Sequence, residues 1–297
     1  MVSAIITTYK REPSMVLRAL DSIIAQTYRD IEIIVVDDSP TDYPEREAVQ
    51  SAVMKRQSEN QDISIKYIAH EKNMGACVAR NTGLDVARGE YVAYLDDDDE
   101  WLPEKIEKQI QVIQNSNAAL VYCGSISKND TTRKETVGKK EYIKGNAFKR
   151  LLYSNFIEST SYPLIRKECL LNIGGFDPLM QSAQDYDVWL RIAKQYEIDY
   201  VDQPLVRYHI HAGERITSNP VKKISGLERI NQKNAEYLDK DRKLWWKRHI
   251  GIARYYAMDH KPKIALYIWW KCLCKCPEYI WKNTFYLLRI IQTTISI

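Results

Sequence analysis

The chain has 297 residues, 45% of them hydrophobic and 28% charged, with a formal net charge of +4. That length buries a sizeable core, and that composition excludes long disordered stretches. Six cysteines in a chain this long exclude a disulfide framework, and no apolar run approaches the roughly 18 residues of a membrane span.

The chain opens directly into a strand-like run, Val2 to Thr8, without a signal-peptide pattern, so a reducing cytoplasmic setting is expected. Similar runs follow at Ile31 to Val36, Ile63 to Ile68, Tyr91 to Leu95 and Leu120 to Cys123. Between them Met15 to Gln26, Ala76 to Ala87 and Pro103 to Asn115 carry apolar residues at helical spacing, and Pro103 suits a first helical turn. This alternation predicts an α/β fold: a mainly parallel sheet covered by helices, with ligands outside the carboxyl ends of its strands. Ser125 to Lys149 is polar and Lys-rich and reads as a connection to an acceptor side. After it come an apolar stretch at Tyr162 to Ile165, a helix from about Asp185 to Gln195, and a strand pair at Ile198 to Val201 and Leu205 to His209. Beyond Pro220 the pattern is helical, with breaks at Asp259 to Pro262 and at Pro277.

The charge is unevenly spread. From Asp241 onward eleven Lys or Arg face three Asp or Glu, a local +8, and five of the seven tryptophans lie in the same stretch. A basic, aromatic tail predicts contact with an anionic membrane surface or another polyanion. A packed helical extension is the alternative. Cys272, Cys274 and Cys276 have a spacing that turns one thiol of a helix away from the other two, so they read as structural rather than zinc ligands.

The strongest local signal is Asp96-Asp97-Asp98-Asp99-Glu100, five acids directly after a buried-type strand. Crowded carboxylates repel one another, and a divalent cation with oxygen ligands, Mn²⁺ or Mg²⁺, would neutralise them and bridge to phosphates. A solvated acidic turn capping the next helix is the competing reading. Asp37-Asp38 likewise ends a strand, and the first strand ends in Thr7-Thr8-Tyr9. In a parallel sheet such ends converge, placing a carboxylate, a hydroxyl and a ring face where a base or ribose can bind. An Asx-turn is the competing reading of Asp-Ser-Pro-Thr-Asp, and on these residues alone it is the better one. No G-x-G-x-x-G follows the first strand, which disfavours a dehydrogenase.

Val2-Ser-Ala-Ile-Ile-Thr-Thr-Tyr-Lys-Arg11 together with Ile33-Ile-Val-Val-Asp-Asp38 resembles the opening of glycosyltransferase family 2. Asn73-Met-Gly-Ala-Cys-Val-Ala-Arg-Asn-Thr-Gly83 is similar to that family's N-x-G-x-x-x-A-R-N-x-G motif, Asp96 to Asp99 to its DxD-type motif, and Gly174-Gly-Phe-Asp177 to its acceptor-side loop. Gln184-Asp-Tyr-Asp-Val-Trp-Leu-Arg191 stands where the family usually has Glu-Asp, so position 184 departs from the pattern by one charge.

The resemblance spans roughly residues 1 to 215 and implies a GT-A fold. Residues 1–219 would form the transferase domain, with a nucleotide-binding half at 1–124 and an acceptor-side half at 125–219, and 220–297 a C-terminal helical extension. It further implies that Thr8, Tyr9 and Asp38 contact uracil and ribose, Asp96 or Asp97 the ribose, and Asp98 a metal on the diphosphate. Arg80 would order the donor site, or be a surface arginine on its helix. Asp185 would be the catalytic base, with Asp187 as substitute. Tyr208-His-Ile-His211 resembles the family's Y-R-x-H segment, which makes His211 a metal ligand or phosphate contact, or merely a hydrogen-bonded strand-end histidine. The expected activity is inverting transfer from a UDP-sugar to a saccharide or polyprenyl-linked acceptor. It would take place at the cytoplasmic face of the membrane, with no nucleic-acid polymer involved. A non-catalytic sugar-nucleotide-binding assembly factor and a sugar nucleotidyltransferase are the alternatives.

Overall fold

In the computed structural model, which describes residues 1–138, 141–210 and 219–295, the apolar runs near the N-terminus become strands buried along almost their whole length. β1 (Val2–Thr8), β2 (Ile31–Asp37), β3 (Ser64–Ala69) and β4 (Tyr91–Asp96) lie parallel in the order β3-β2-β1-β4. Strands of this kind are joined by helical crossovers and covered on both faces, which is why they read as continuous hydrophobic runs. The register sets Thr7 opposite Asp96 and Thr8 opposite Asp37, so three carboxyl ends finish at one level.

The sheet continues in mixed directions through β5 (Glu100–Trp101), β6 (Ala118–Asn129), β7 (Glu135–Val137), β8 (Leu164–Arg166) and β9 (Glu197–Ile210). Among the described residues it has nine strands, ordered β3-β2-β1-β4-β8-β6-β9-β5 with β7 on β6. β8 runs antiparallel to β4 and β6, and β9 parallel to β6. Two expectations need correcting here. The supposed connection after Ser125 begins as the second half of β6 and folds back through β7, where exposed polar side chains hide the strand pattern. The two segments around Ile198 and Leu205 are one strand, β9, carried past Pro204 by register shifts opposite Gly124.

Helices of the first half are α1 (Pro13–Ile24), α2 (Arg46–Glu59), α3 (Ala76–Val86) and α4 (Lys105–Gln114). α1 buries Val16, Ala19, Leu20 and Ile23, and α4 buries Ile106, Ile110 and Ile113. α2 buries only Val49 and Val53, so it carries almost no periodic signal. Pro103 precedes α4 rather than entering its first turn, and its carbonyl accepts the Thr27 N–H at 2.9 Å. The short α5 (Phe148–Tyr153) and α6 (Lys167–Asn172) are followed by α7 (Gln184–Gln195).

The chain packs as two compact units. The first, Met1–Leu151, Asn155–Pro178 and Val188–Ala212, holds the sheet, and the second takes Leu152–Ser154, Leu179–Asp187 and Gly213–Ile297. In the second unit α8 (Pro220–Lys233), α9 (Ala235–Lys240), α10 (Arg242–Met258), α11 (Pro262–Lys275) and α12 (Ile280–Ile295) succeed one another. Asp241 caps α10 by accepting the Leu244 N–H at 3.0 Å. Trp246, Ile250, Cys272 and Cys276 are buried together. Asn283 accepts the Trp246 indole N–H on its side-chain oxygen at 2.6 Å and that of Trp269 on its carbonyl at 2.8 Å. No helix among the described residues is long and apolar enough to cross a membrane.

Candidate functional site

At the carboxyl ends of β1 and β2 the backbone N–H of Asp38 donates to the Thr8 carbonyl at 2.9 Å, which fixes the two chain exits together. The Asp38 carboxylate accepts the N–H of Met74 at 2.7 Å and of Gly75 at 2.8 Å, and meets His70 Nδ1 at 2.7 Å. Gly75 is the residue before α3 and adopts φ 88°, a conformation that favours glycine. Further along α3, a Cβ on Gly83 would stand 2.5 Å from Ile5 Cγ2, so glycine is what lets this helix lie on β1. Asp38, itself buried, thus anchors the start of α3. Asp37 is consumed structurally, accepting from the Ser39 N–H at 2.8 Å and the Tyr67 hydroxyl at 2.6 Å. Tyr9, by contrast, is 42% exposed, with Lys10 Nζ over its ring at 5.5 Å.

The acidic run past β4 is divided among partners. Arg80 on α3 donates to Asp96 Oδ1 at 3.0 Å and lies over the Phe176 ring, so it is a positioned arginine and not a surface one. Arg11 donates to Asp97 at 3.0 Å and Asp98 at 3.3 Å, and Arg18 to the Asp98 carbonyl at 3.0 Å. Burial pushes the Asp97 carboxyl up to about 6 against the pull of Arg11. Asp99, wholly buried, is raised well above the carboxylate range by burial and by its neighbours Asp96 and Asp98. The guanidinium groups of Arg11 and Arg80 thus supply part of the positive charge that the crowded run calls for.

A hydroxyl segment, Ser159 to Ser161, holds the run in place and left no periodic signal in the sequence. Thr160 donates to Asp96 Oδ1 at 2.9 Å. Ser161 Oγ accepts the Asp96 N–H at 3.1 Å and donates to Asp99 at 2.6 Å, while its carbonyl accepts the Trp101 indole N–H at 3.0 Å. Asn81, next to Arg80, exchanges two hydrogen bonds with the backbone of Phe176 at 2.8 and 2.9 Å. Through it, two of the motifs read separately in the sequence are joined.

Beyond the run, His209 is buried between Glu100 at 2.7 Å and Asp130 at 2.6 Å. With Arg207 alongside, His209 holds the Glu100 carboxyl down at about 2. His211 lies outside the described residues. Asp185 falls in the first turn of α7 within the second unit, where the helix terminus favours a carboxylate. Asp187 is buried and paired with Lys233 at 2.7 Å, also within that unit.

The partly exposed carboxylates of the run are Asp96, Asp98 and Glu100, with side chains 31%, 24% and 19% accessible. Asp96 and Asp98 are hard oxygen donors of the kind Mg²⁺ or Mn²⁺ takes, an ion that would complete its shell with water and substrate phosphate. A cluster of three or more such ligands is absent among the described residues.

A family model described as glycosyl transferase family 2 matches residues 3–174. The putative colanic acid biosynthesis glycosyl transferase WcaA of Escherichia coli K12 is 30% identical over 246 residues, covering 81% of this chain and 83% of that protein. The amylovoran biosynthesis glycosyltransferase AmsB of Erwinia amylovora is 29% identical over 234 residues, covering 72% and 73%. Among solved structures, S. aureus TarS 1-349 in complex with UDP-GlcNAc aligns with a TM-score of 0.61 at 18% identity, covering 99% of this chain and 89% of that one. That likeness shows the GT-A-like fold. With more than half of its length matched by the family model, the chain belongs to glycosyltransferase family 2.

Proposed function

We propose that the protein is an inverting, divalent-metal-dependent glycosyltransferase that moves one sugar from a UDP-sugar, or a related nucleotide sugar, to a hydroxyl of a saccharide or polyprenyl-linked acceptor in surface-polysaccharide synthesis. The observation that carries this reading is that Thr8, Tyr9, Asp38 and Asp96 to Asp98 lie at the carboxyl ends of three parallel strands, with Arg80 of α3 reaching Asp96. The colanic acid and amylovoran biosynthesis relatives support the polysaccharide class, and the UDP-GlcNAc complex of TarS supports a UDP-sugar.

In this reading the exposed Tyr9 ring stacks on the base, while Thr8, Asp38 and Asp96 or Asp97 hydrogen-bond base and ribose. Arg80 keeps Asp96 oriented. Asp98 and Asp96 would hold the metal, joined by His211, and the ion when bound supplies Lewis-acid compensation for charge on the departing diphosphate. Asp185 takes the proton of the acceptor hydroxyl. That oxygen bonds to the anomeric carbon as the bond to the diphosphate breaks, so configuration inverts and UDP leaves. Asp187, paired with Lys233, is the substitute for that role.

Residues 1–219 would carry this chemistry. The basic 220–297 extension would keep the enzyme at the cytoplasmic face of the membrane, where a lipid-linked acceptor is found. A panel of UDP- and dTDP-sugars tests the proposal: release of free UDP that requires added Mn²⁺ or Mg²⁺ supports it, and no hydrolysis or transfer from any UDP-sugar overturns it.

A further inference from the structure

α7 is divided between the two units: its first turn, Gln184 to Asp187, falls in the second with the C-terminal helices, and Val188 onward in the first. Helix ends fray, because their first N–H groups have no intrahelical acceptor, so a base placed there needs holding from outside its own helix. The second unit supplies that hold. On α8, Lys233 pairs with Asp187 at 2.7 Å, and Gly226 lies so close to Ser182 that a Cβ there would collide with the Ser182 carbonyl. On α10, Arg248 donates through Nη1 to the Tyr186 hydroxyl at 3.1 Å, and its guanidinium lies over the Tyr186 ring at 5.2 Å. Arg248 Nε also donates to Asn231 of α8 at 2.8 Å, so one side chain joins α7, α8 and α10. Ala183, directly before α7, adopts φ 54°, a left-handed conformation that a Cβ disfavours and that surrounding packing must maintain.

Arg248 is a costly choice for packing alone. Burial depresses its pKa against the pull of Tyr186, its acceptors Tyr186 and Asn231 are neutral, and its Nη2 is buried without an acceptor among the described residues. A buried cation that no carboxylate compensates is less favourable than an apolar side chain of similar volume, so its placement on Tyr186 calls for a role beside packing. We infer that Arg248 is a positioning residue for the transfer: through the Tyr186 hydroxyl it fixes the first turn of α7 and with it Asp185, so that the C-terminal extension takes part in the reaction. The inference rests on the reading of Asp185 as the base. Its action is indirect, since Arg248 touches Tyr186 and Tyr186 shares the turn with Asp185. A reacting group displaced by about 1 Å loses on the order of 10²-fold in rate, so a loosened turn is felt in kcat and not in donor affinity.

The test uses the full-length chain as Arg248→Met, which keeps bulk and removes the donors, as Tyr186→Phe, which keeps the ring and removes only the hydroxyl, and as the double variant. The assay is UDP release, with water as acceptor, from whichever UDP-sugar the parent turns over fastest. Arg248→Met should lower kcat at least about tenfold and Tyr186→Phe about three- to tenfold, with the donor KM unchanged in both. The double variant should be no slower than Arg248→Met, because both substitutions cut one link. Amide hydrogen exchange across 182–187, followed on nucleotide-free protein, should quicken in both single variants. Parent-like kcat in both would overturn the inference, as would parent-like exchange across 182–187 or losses that multiply in the double variant. Should Arg248→Met fail to fold, Tyr186→Phe decides by the same kcat and exchange readings. Failure of the underlying reading looks different: the parent then releases no UDP, or Asp185→Asn keeps the parent's kcat.

Discussion

Arg11 bridges Asp97 and Asp98 with one guanidinium, its Nε 3.0 Å from Asp97 Oδ1 and its Nη2 3.3 Å from Asp98 Oδ2. Burial works against that guanidinium, yet the two carboxylates outweigh the penalty and raise its pKa. A cation arriving at Asp98 must compete with a resident positive charge. At pH 8, where the Asp97 carboxyl is ionised, Arg11→Ala should therefore tighten Mn²⁺ binding by about two- to fivefold, the scale of a partly exposed ion pair. Loss of the free-Mn²⁺ electron paramagnetic resonance signal on nucleotide-free protein measures this. Unchanged or weaker binding would refute the competition.

Ser161→Ala removes the hydroxyl that Asp96 and Asp99 share and leaves Asp99 buried without that donor. The expected cost is about 2 kcal/mol of stability, typical of a buried polar group left unsatisfied, together with a lower kcat as the acidic run loosens. Urea denaturation alongside kcat checks both. Parent-like values for the two quantities would mean that the segment does not hold the run.

Parallel strands buried on both faces advertise themselves as unbroken apolar runs, so β1, β2 and β4 and the acids at their ends were legible in sequence. The contacts that organise those acids were not. Arg11 and Asp97 are 86 residues apart and Ser161 and Asp99 are 62 apart, and a pairing between two loops leaves no local period. The same holds for Asn81 and Phe176, whose motifs were recognised one by one but not as partners. α2 escaped because two buried valines are too few to set a helical rhythm, and β7 because all three of its residues are exposed. The acidic run itself pointed to a cation, while its neutralisation by arginines and burial needed the fold.

Asp185 and Asp187 should separate cleanly. Asp185→Asn is expected to lower kcat by at least about 10²-fold with donor affinity little changed, the scale of a general base. Asp187→Asn should instead destabilise the protein by about 1 to 3 kcal/mol, because it breaks the buried pairing with Lys233. Steady-state kinetics and thermal melts on both variants decide. A kinetic defect confined to Asp187→Asn would move the base by two residues.

Glu100 gives a pH signature. Its carboxyl is held near 2, chiefly because His209 hydrogen-bonds to it, against an ordinary value of 4.5. The folded value is the lower one, so the stabilisation is complete above about pH 4.5 and disappears as pH falls through 2. Glu100→Gln should cost on the order of 3 kcal/mol at pH 7 and roughly half of that or less at pH 3. Urea titrations of parent and variant at the two pH values test this, and a difference independent of pH would exclude the pairing as its source.

The claim that the acidic strand ends form a metal-assisted sugar-nucleotide site is tested most directly by calorimetric titration of UDP into the parent protein and into Asp98→Asn, each with Mn²⁺ and with EDTA. The prediction is that UDP binds the parent with Mn²⁺, binds at least about tenfold more weakly when EDTA removes the metal, and gains nothing from Mn²⁺ in Asp98→Asn. Equal UDP affinity in all four titrations would contradict it.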